Sequence, residues 1–258
     1  MRPAVKSTRD GDNGMRNLIA DSNFEAGNRR SLAENEVHLW GINLDAVAPG
    51  ESRWRTVLSP DELARADRFH FARDRQHFTA TRALLRTVLG SYLGSDPSRL
   101  TFVYSDKGKP FLGANSAIPV QFNVSHSGGR AVLAFSLGRD VGVDVERVRH
   151  NFDCDVLAER YFSPGERKAL IALPLSERWS GFFRCWTRKE AYIKAHGAGL
   201  SLLLDSFDVS IVRGERNALL ATRPDACEAE RWSLCEVDVG EGYAAALCVK
   251  GHGWVLKD

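Results

Sequence analysis

GVDVE, residues 142–146, is the stretch that most narrows the fold and the chemistry of this chain. Its apolar residues alternate with other residues, which predicts a strand whose side chains point in turn to opposite faces. Asp144 and Glu146 therefore share one face, while Val143 and Val145 share the other. Buried carboxylates are costly unless they are paired or bind a cation, and Mg²⁺ prefers a few carboxylates completed by water and phosphate oxygens. The stretch is compatible with a cation site, but taken alone it is more typical of two solvated acids at an ordinary strand end.

A second stretch, WTRKEAYIKA at 186–195, predicts a helix that carries another acid and a lysine. Four residues advance a helix by roughly 400°, so Glu190 and Lys194 share one stripe with the tryptophan that opens the stretch. The two phenylalanines at 182–183 predict that this stripe faces inward, whereas a surface Glu–Lys pair is the alternative. Lys189, about 100° away, either makes another contact or faces solvent. Three acids and a lysine in an apolar setting indicate a divalent cation that handles a phosphorylated ligand.

The flanking sequence predicts an α+β fold of two similar α/β lobes in tandem, related by a pseudo-twofold, with the active site at the lobe junction. Each half holds a Ser-Pro helix start, then a longer helix, then strands. This repeat is one of element order, without convincing residue-level identity. The segments at 131–137 and 141–145 are predicted to form a hairpin around 138–140. The other predicted strands are 37–42, 100–104, 121–124, 207–211, 232–237 and 243–249, and the predicted helices are 59–68, 74–93, 153–160, one starting at 163, and 179–195.

The predicted domains are a disordered tail at 1–34, an N-terminal lobe at 35–138 and a C-terminal lobe at 139–258 that holds the acids. The tail is polar, rich in Gly, Asn and Arg, and without periodicity. No role is assigned to it.

Composition excludes several classes of function. The chain has 258 residues, with 35 Lys and Arg against 33 Asp and Glu, so no overall field attracts nucleic acid or an anionic membrane. Its five cysteines show no CxxC spacing, and their odd number argues against a disulfide framework. No apolar run approaches the ~20 residues of a membrane span. We therefore expect a cytoplasmic protein with reduced thiols.

Three further polar stretches are candidates for binding phosphate. NVSHSGG at 123–129 closes a strand with a hydroxyl, an imidazole and backbone amides, which suit an anion, although His126 alone is equally typical of a loop histidine. A hydrolase is disfavoured because the chain has no GxSxG elbow. Lys107 and Lys109 form a basic corner before a proline, or a solvated turn. Arg73 belongs to a group of arginines around the first long helix that either bind phosphate or cover the helix surface.

Taken together, these stretches resemble the 4′-phosphopantetheinyl transferases of the large, pseudo-dimeric type that activate carrier proteins of synthases. The resemblance covers about residues 37–250, and the trailing GAGL of the helical stretch belongs to it. It is carried by FARD at 71–74, KGKP at 107–110, NVSHS at 123–127, GVDVE at 142–146, YFSPGE at 161–166 and the stretch 186–200.

The resemblance implies transfer of the phosphopantetheine arm of coenzyme A to a serine of an apo acyl or peptidyl carrier protein, with release of adenosine 3′,5′-bisphosphate. It implies Mg²⁺ as the cofactor and a monomer as the working unit, with no nucleic-acid or membrane partner. The implied metal ligands are Asp144, Glu146 and Glu190. The implied coenzyme A contacts are Arg73, Lys107, Lys109, Asn123, Ser125, His126, Asp144, Glu190 and Lys194.

Two residues are implied to be catalytic. Glu190, directly or through a water on the metal, takes the serine proton, and Lys194 stabilises or protonates the departing phosphate. A Mg²⁺-dependent phosphodiesterase or nuclease also needs clustered acids and a lysine, and a silent coenzyme A-binding module is a third candidate. Whether the carrier belongs to fatty acid, polyketide or nonribosomal peptide synthesis stays open.

Overall fold

In the computed structural model, two β-sheets pack face to face, and a 22-residue helix covers the outer side of each sheet. The structure describes residues 6–7, 16–17, 29–47, 52–113 and 118–257. The helices are α1 (Ser52–Arg55), α2 (Pro60–Asp67), α3 (Ala72–Leu93), α4 (Cys154–Tyr161), α5 (Pro164–Ile171) and α6 (Leu175–His196). The strands are β1 (Lys6–Ser7), β2 (Arg16–Asn17), β3 (Glu36–Asn43), β4 (Phe102–Tyr104), β5 (Pro110–Leu112), β6 (Val120–Ser127), β7 (Arg130–Leu137), β8 (Val141–Arg147), β9 (Phe207–Val209), β10 (Leu219–Thr222), β11 (Trp232–Glu236), β12 (Tyr243–Lys250) and β13 (Val255–Lys257).

The same strand order occurs in both halves of the chain. The first sheet contains the run β3-β7-β6, and the second sheet is β8-β12-β11. In each run, the strand that comes last in the chain lies in the middle, between the first strand of the run and the strand immediately before it. A short separate hairpin, β4-β5 in the first half and β9-β10 in the second, follows the long helix. The predicted mixed α/β architecture in two parts is confirmed.

The two sheets share an apolar core, to which no helix contributes among the described residues. Val132 of β7 points into it, while the next residue along the strand, Leu133, packs on the α3 side. Val143 and Val145 of β8 enter the same core from the second sheet, together with Leu247 of β12. Because side chains alternate along a strand, each sheet has one face for its helix and one for the other sheet. The junction between the two sheets is thus built from strands.

The hairpin predicted between 131–137 and 141–145 is wrong. β7 pairs with β3 and β6, whereas β8 leaves for the second sheet and pairs with β12. Both strands are buried along most of their length, and neither local pattern specifies a pairing partner. The hairpin lies one connection earlier, where the two-residue turn Gly128-Gly129 joins β6 to β7, with Gly128 at a φ of 57°.

The first sheet is extended by strands from both ends of the chain. β13 pairs in parallel with β3, and β1 pairs with β13. β2 pairs with β3 beyond the point where β13 ends. β1 and β2 lie inside the predicted tail, and β13 lies at the end of the predicted C-terminal lobe. Their pairing within the first sheet therefore differs from the predicted division into a tail and two lobes. The sequences of these strands have no periodicity, and the strands form where the edge of the sheet offers unpaired backbone groups. The rest of the predicted tail before residue 29 lies outside the described residues.

A buried ion pair ties α6 to the start of α5. Lys189 is 0% exposed, and its Nζ lies 2.7 Å from Glu166 Oε1 and donates to the carbonyls of Leu204 and Phe207. Glu166 also accepts the backbone amide of Ser163, the residue before α5. Lys189 therefore makes an internal contact, which is one of the two expected alternatives.

The first half has a matching pair. Arg86 stands at the same position in α3 as Lys189 in α6, and it binds Glu62 and the carbonyls of Pro97 and Leu100. Glu62 accepts the amide of Ser59, which opens the first Ser-Pro helix. The two halves therefore share a residue-level feature that the sequence alone did not make visible.

All five cysteines are free thiols, and only Cys227 is exposed. Among the described residues, no helix combines the length and the apolar character of a transmembrane segment.

Candidate active site

β8 and α6 face each other closely because Gly142 has no side chain. A Cβ at Gly142 would overlap the carbonyl oxygen of Ala191 and the amide nitrogen of Ala195, both in the backbone of α6. Asp144 and Glu146 share this face of β8, since they alternate with the valines that enter the inter-sheet core. Asp144 is buried at 3% exposure, and Glu146 is half-buried.

Lys194, Ser125 and Asp144 form a closed hydrogen-bonded group at the lobe junction. Lys194 Nζ donates to Asp144 Oδ1 at 2.6 Å and to Ser125 Oγ at 3.0 Å. The Ser125 hydroxyl donates to the same Asp144 oxygen at 2.9 Å and accepts the amide of Val145 at 3.2 Å. One residue from the first sheet, one from β8 and one from α6 thus meet.

The three acids influence one another electrostatically. The pKa of Asp144 is raised by burial, against the opposing effect of Lys194. The pKa of Glu146 is also raised by burial and, to a lesser degree, by Asp144. Burial raises the pKa of Glu190, and the charges of Asp144 and Glu146 raise it further. Trp186 anchors the same helix face by stacking on Phe182.

The acids fit a divalent cation by their chemistry, although their side chains are not gathered into a finished ligand set. No group of three or more His, Cys, Asp or Glu side chains in the described ranges is arranged to hold a metal. Asp144 Oδ2, however, is a buried oxygen without any hydrogen-bond partner. The Glu190 carboxylate likewise has no hydrogen-bond or ion-pair partner within the described part of the chain. The raised pKa values and the unpaired Asp144 oxygen indicate that the protein compensates the negative charge of these carboxylates poorly. A bound cation would compensate it.

Lys109 is engaged inside the protein, while Lys107 is exposed. Lys109 Nζ donates to the carbonyls of Lys194 at 2.6 Å and Val141 at 3.3 Å, and burial lowers its pKa. It therefore links the β4-β5 hairpin to the last turn of α6. The side chain of Lys107 lies against Gly199, just beyond α6. The structure brings both lysines to the end of the helix that carries Glu190.

His126 lies on the first-lobe side of the junction, among positive charges. Its pKa is lowered by loss of solvent and by the charges of Lys194, His77 and Arg65. Arg73 is held at the surface by an ion pair of 2.9 Å with Asp45. Arg65 and His77 were not among the predicted site residues. Both lie on helices that are rich in arginine. Their sequence pattern is the same as that of residues that only cover a helix surface, so it did not mark them as site residues.

Asn123 and Ser125 face β8, where they accept backbone amides of that strand. Asn123 Oδ1 accepts the amide of Val143 at 2.9 Å. The Ser125 oxygen accepts two hydrogen bonds, and its hydroxyl donates one to Asp144. Ser125 has therefore used its full hydrogen-bonding capacity. This is a different task from the coenzyme A contact expected for it, which stays a prediction.

Ser127 was missed as a site residue. Its hydroxyl donates to Glu146 Oε2 at 2.6 Å and accepts the amide of Arg147 at 3.1 Å. The available signal was the period-two run of polar residues at 123, 125 and 127, which places all three on one face of a strand.

Comparison with known proteins gives matches over both halves of the chain. Residues 140–248 match the 4′-phosphopantetheinyl transferase superfamily, and residues 48–137 match a 4′-phosphopantetheinyl transferase N-terminal family. The chain is 41% identical over 228 residues to the 4′-phosphopantetheinyl transferase HetI of Nostoc sp., covering 88% of this chain and 93% of the relative. It is 29% identical over 214 residues to the 4′-phosphopantetheinyl transferase Sfp of Bacillus subtilis, covering 81% and 91%. It is 33% identical over 228 residues to the L-aminoadipate-semialdehyde dehydrogenase-phosphopantetheinyl transferase of Xenopus laevis, covering 81% and 75%.

Proposed function

Since the chain belongs to the 4′-phosphopantetheinyl transferase superfamily, we propose that it transfers the 4′-phosphopantetheine group of coenzyme A to a serine of an apo carrier protein, with Mg²⁺ as cofactor. The other product is adenosine 3′,5′-bisphosphate. The observation that carries the proposal is the contact between Lys194 of α6 and buried Asp144 of β8, whose second oxygen lacks a partner. The superfamily match disfavours the phosphodiesterase or nuclease alternative. The presence of all three acids and the lysine disfavours a silent coenzyme A-binding module.

The reaction forms a bond between the carrier serine oxygen and the β-phosphorus of coenzyme A. The bond that breaks joins this phosphorus to the oxygen bridging toward the adenosine, so the electron pair leaves with adenosine bisphosphate. Glu190 receives the serine proton. Its raised pKa makes the ionised carboxylate a stronger base than an ordinary glutamate, which suits this role.

Lys194 compensates the negative charge that develops on the departing phosphate, because it stands one helical turn beyond Glu190. Its ion pair with Asp144 holds the ammonium group in place beforehand. Asp144, Glu146 and Glu190 would hold Mg²⁺. When bound, the metal would neutralise charge on the pyrophosphate oxygens.

The nucleotide end of coenzyme A is placed on the first lobe and the end of α6. The positive charges around His126 attract an anion. Lys107 is exposed beside Gly199 and free to turn toward a phosphate, whereas Lys109 already holds the helix end. Arg73 would have to exchange Asp45 for a phosphate, so we expect a smaller contribution from it.

The repeated strand order and the matching Glu62–Arg86 and Glu166–Lys189 pairs support a pseudo-twofold relation of the lobes. We include that relation in the proposal, with a lobe boundary near residue 139. A monomeric working unit and a cytoplasmic location are part of the same proposal.

The test is incubation of the purified protein with coenzyme A, Mg²⁺ and apo carrier proteins of the fatty acid, polyketide and nonribosomal peptide classes. Intact-mass spectrometry is expected to show the gain of one phosphopantetheine group on at least one carrier, and loss of this gain when EDTA replaces Mg²⁺. No gain on any carrier would contradict the transfer, and an undiminished gain in EDTA would contradict the metal.

A further inference from the structure

β8 is an edge strand whose outward amides are covered by side chains instead of another strand. Its opposite edge pairs with β12 along the whole strand. In an antiparallel pair, alternate residues direct their amides away from the partner. Such amides need acceptors when they are buried. Alternate residues of β6 supply them: Asn123 Oδ1 accepts from Val143 N, Ser125 Oγ from Val145 N, and Ser127 Oγ from Arg147 N.

The two serines of this polar ladder have a second task. Each donates its hydroxyl proton to the carboxylate that precedes the amide it accepts. Ser125 donates to Asp144 Oδ1 at 2.9 Å, and Ser127 donates to Glu146 Oε2 at 2.6 Å. Both acids are therefore oriented by the same device, repeated two residues along the strand.

We propose that Ser127 is a positioning residue for the metal site: its hydroxyl fixes Glu146 so that the other carboxylate oxygen points to the cation. Ser125 does the same for Asp144, where Lys194 shares the held oxygen. This proposal rests on the proposed function, which makes the two acids metal ligands. For Ser125 this role differs from the coenzyme A contact that the resemblance implies, and for Ser127 no role was expected.

The arrangement of the free oxygens supports the proposal. The oxygen of Asp144 that Ser125 does not touch is buried and without a partner. Within the described ranges, the Glu146 carboxylate accepts one hydrogen bond, and its donor is Ser127. Each serine thus occupies one oxygen and leaves the other for a ligand. Hydrogen bonds of this kind fix ligand orientation, and their loss typically costs about 10- to 100-fold in metal affinity or activity.

Ser127 is the better residue to test, because Ser125 also contacts Lys194 directly. Ser127 is half-buried near the end of the strand, and Arg147 beside it is exposed, so water can satisfy the freed amide. Loss of the Ser127 hydroxyl should therefore change the orientation of Glu146 more than it changes folding. Ser136 is a matched control: it is a buried serine on neighbouring β7 that donates to the carbonyl of Arg139 and touches neither acid.

The experiment measures Mn²⁺ binding, as a substitute for Mg²⁺, by electron paramagnetic resonance in the presence of coenzyme A and without a carrier. The variants are Ser127→Ala, Ser127→Thr, Ser136→Ala and Glu146→Gln, each with a thermal unfolding curve. We expect about 10-fold weaker Mn²⁺ binding in Ser127→Ala, recovery in Ser127→Thr, and wild-type binding in Ser136→Ala. Ser127→Cys, which keeps the size but donates weakly, serves if the alanine variant does not fold.

Two failures can be told apart. Wild-type Mn²⁺ affinity in both Ser127→Ala and Ser127→Cys, while Glu146→Gln binds more weakly, would overturn the role of Ser127 and leave the metal site standing. If Glu146→Gln also binds as the wild type does, Glu146 is not a ligand, and the proposed metal site itself fails. A loss of thermal stability in Ser127→Ala at unchanged affinity would show a merely structural serine and would also overturn the inference.

Discussion

At the scale of single residues, the site is a group of carboxyl side chains whose charged form is disfavoured by burial. Asp144, Glu146 and Glu190 all have raised pKa values because they are withdrawn from water close to one another. Lys194 offsets part of this cost through its ion pair with Asp144. Groups shifted in this way cluster at functional sites, where stability is given up for chemistry. The acids should therefore destabilise the metal-free protein.

Replacing Glu190 by Gln should raise the stability of the metal-free protein at pH 8. The folded-state pKa of Glu190 is raised, so its contribution to stability is present below the unfolded pKa of about 4.3 and is lost as the pH rises through the folded pKa. Glutamine cannot ionise and removes that loss. Because ~1 kcal/mol shifts the melting temperature of a chain of this size by about 2–4 °C, a rise of a few degrees is expected.

The measurement is thermal unfolding in EDTA at pH 8 and at pH 4, where the difference between wild type and Glu190→Gln should disappear. Glu177→Gln, in the exposed first turn of the same helix, is the control and should not gain stability. A Glu190→Gln variant less stable than the wild type at pH 8 would show that Glu190 is a stabilising residue.

At the scale of elements, the position of α6 on β8 decides whether the site exists. Gly142 lets the helix backbone approach the strand. Lys109 holds the last turn of the helix, and the Lys189–Glu166 pair holds its middle. Because three independent contacts fix one helix, Glu190 and Lys194 are held rigidly relative to Asp144. Rigid elements position catalytic groups better than loops do.

Gly142→Ala should therefore damage activity more than stability. The new methyl group must displace α6 from β8, which typically costs about 1–3 kcal/mol. A displacement of 1 Å in a catalytic group can reduce the rate about 100-fold. Gly165→Ala in α5 is the matched control, since its Cβ would find only Ser163 Oγ at 3.8 Å.

Carrier modification rates and chemical denaturation of both variants provide the check. Gly165→Ala should keep its rate and its stability. A Gly142→Ala enzyme with the wild-type rate would contradict the claim that close approach of α6 to β8 builds the site.

At the scale of the whole molecule, the sequence predicted local elements well and their pairing poorly. Capping signals at Ser59 and Ser163 placed the helix starts correctly, because the cap, the proline and the glutamate act within one turn. The partner of β8 could not be predicted, since the hydrophobic alternation of a strand contains no information about its neighbour. Likewise, β13 has no pattern that directs it to β3 in the other half.

The same difference between local pattern and tertiary contact applies to the residues of the candidate site. Asp144, Glu190 and Lys194 were predicted from side-chain periodicity, which depends only on strand and helix geometry. The role of Ser127 requires knowledge that β6 lies beside β8, which is a tertiary fact. The sequence left open whether Lys189 makes an internal contact or faces solvent, and it did not predict the burial of Arg86, because burial of a charge depends on a distant carboxylate.

The most direct test of the account is intact-mass measurement of an accepted apo carrier after brief incubation with coenzyme A, Mg²⁺ and either wild type, Glu190→Gln or Glu177→Gln. The account predicts the same rate of phosphopantetheine gain for wild type and Glu177→Gln, and a rate lower by about 10²- to 10⁴-fold for Glu190→Gln, which lacks the base. A Glu190→Gln enzyme that modifies the carrier at the wild-type rate would contradict it.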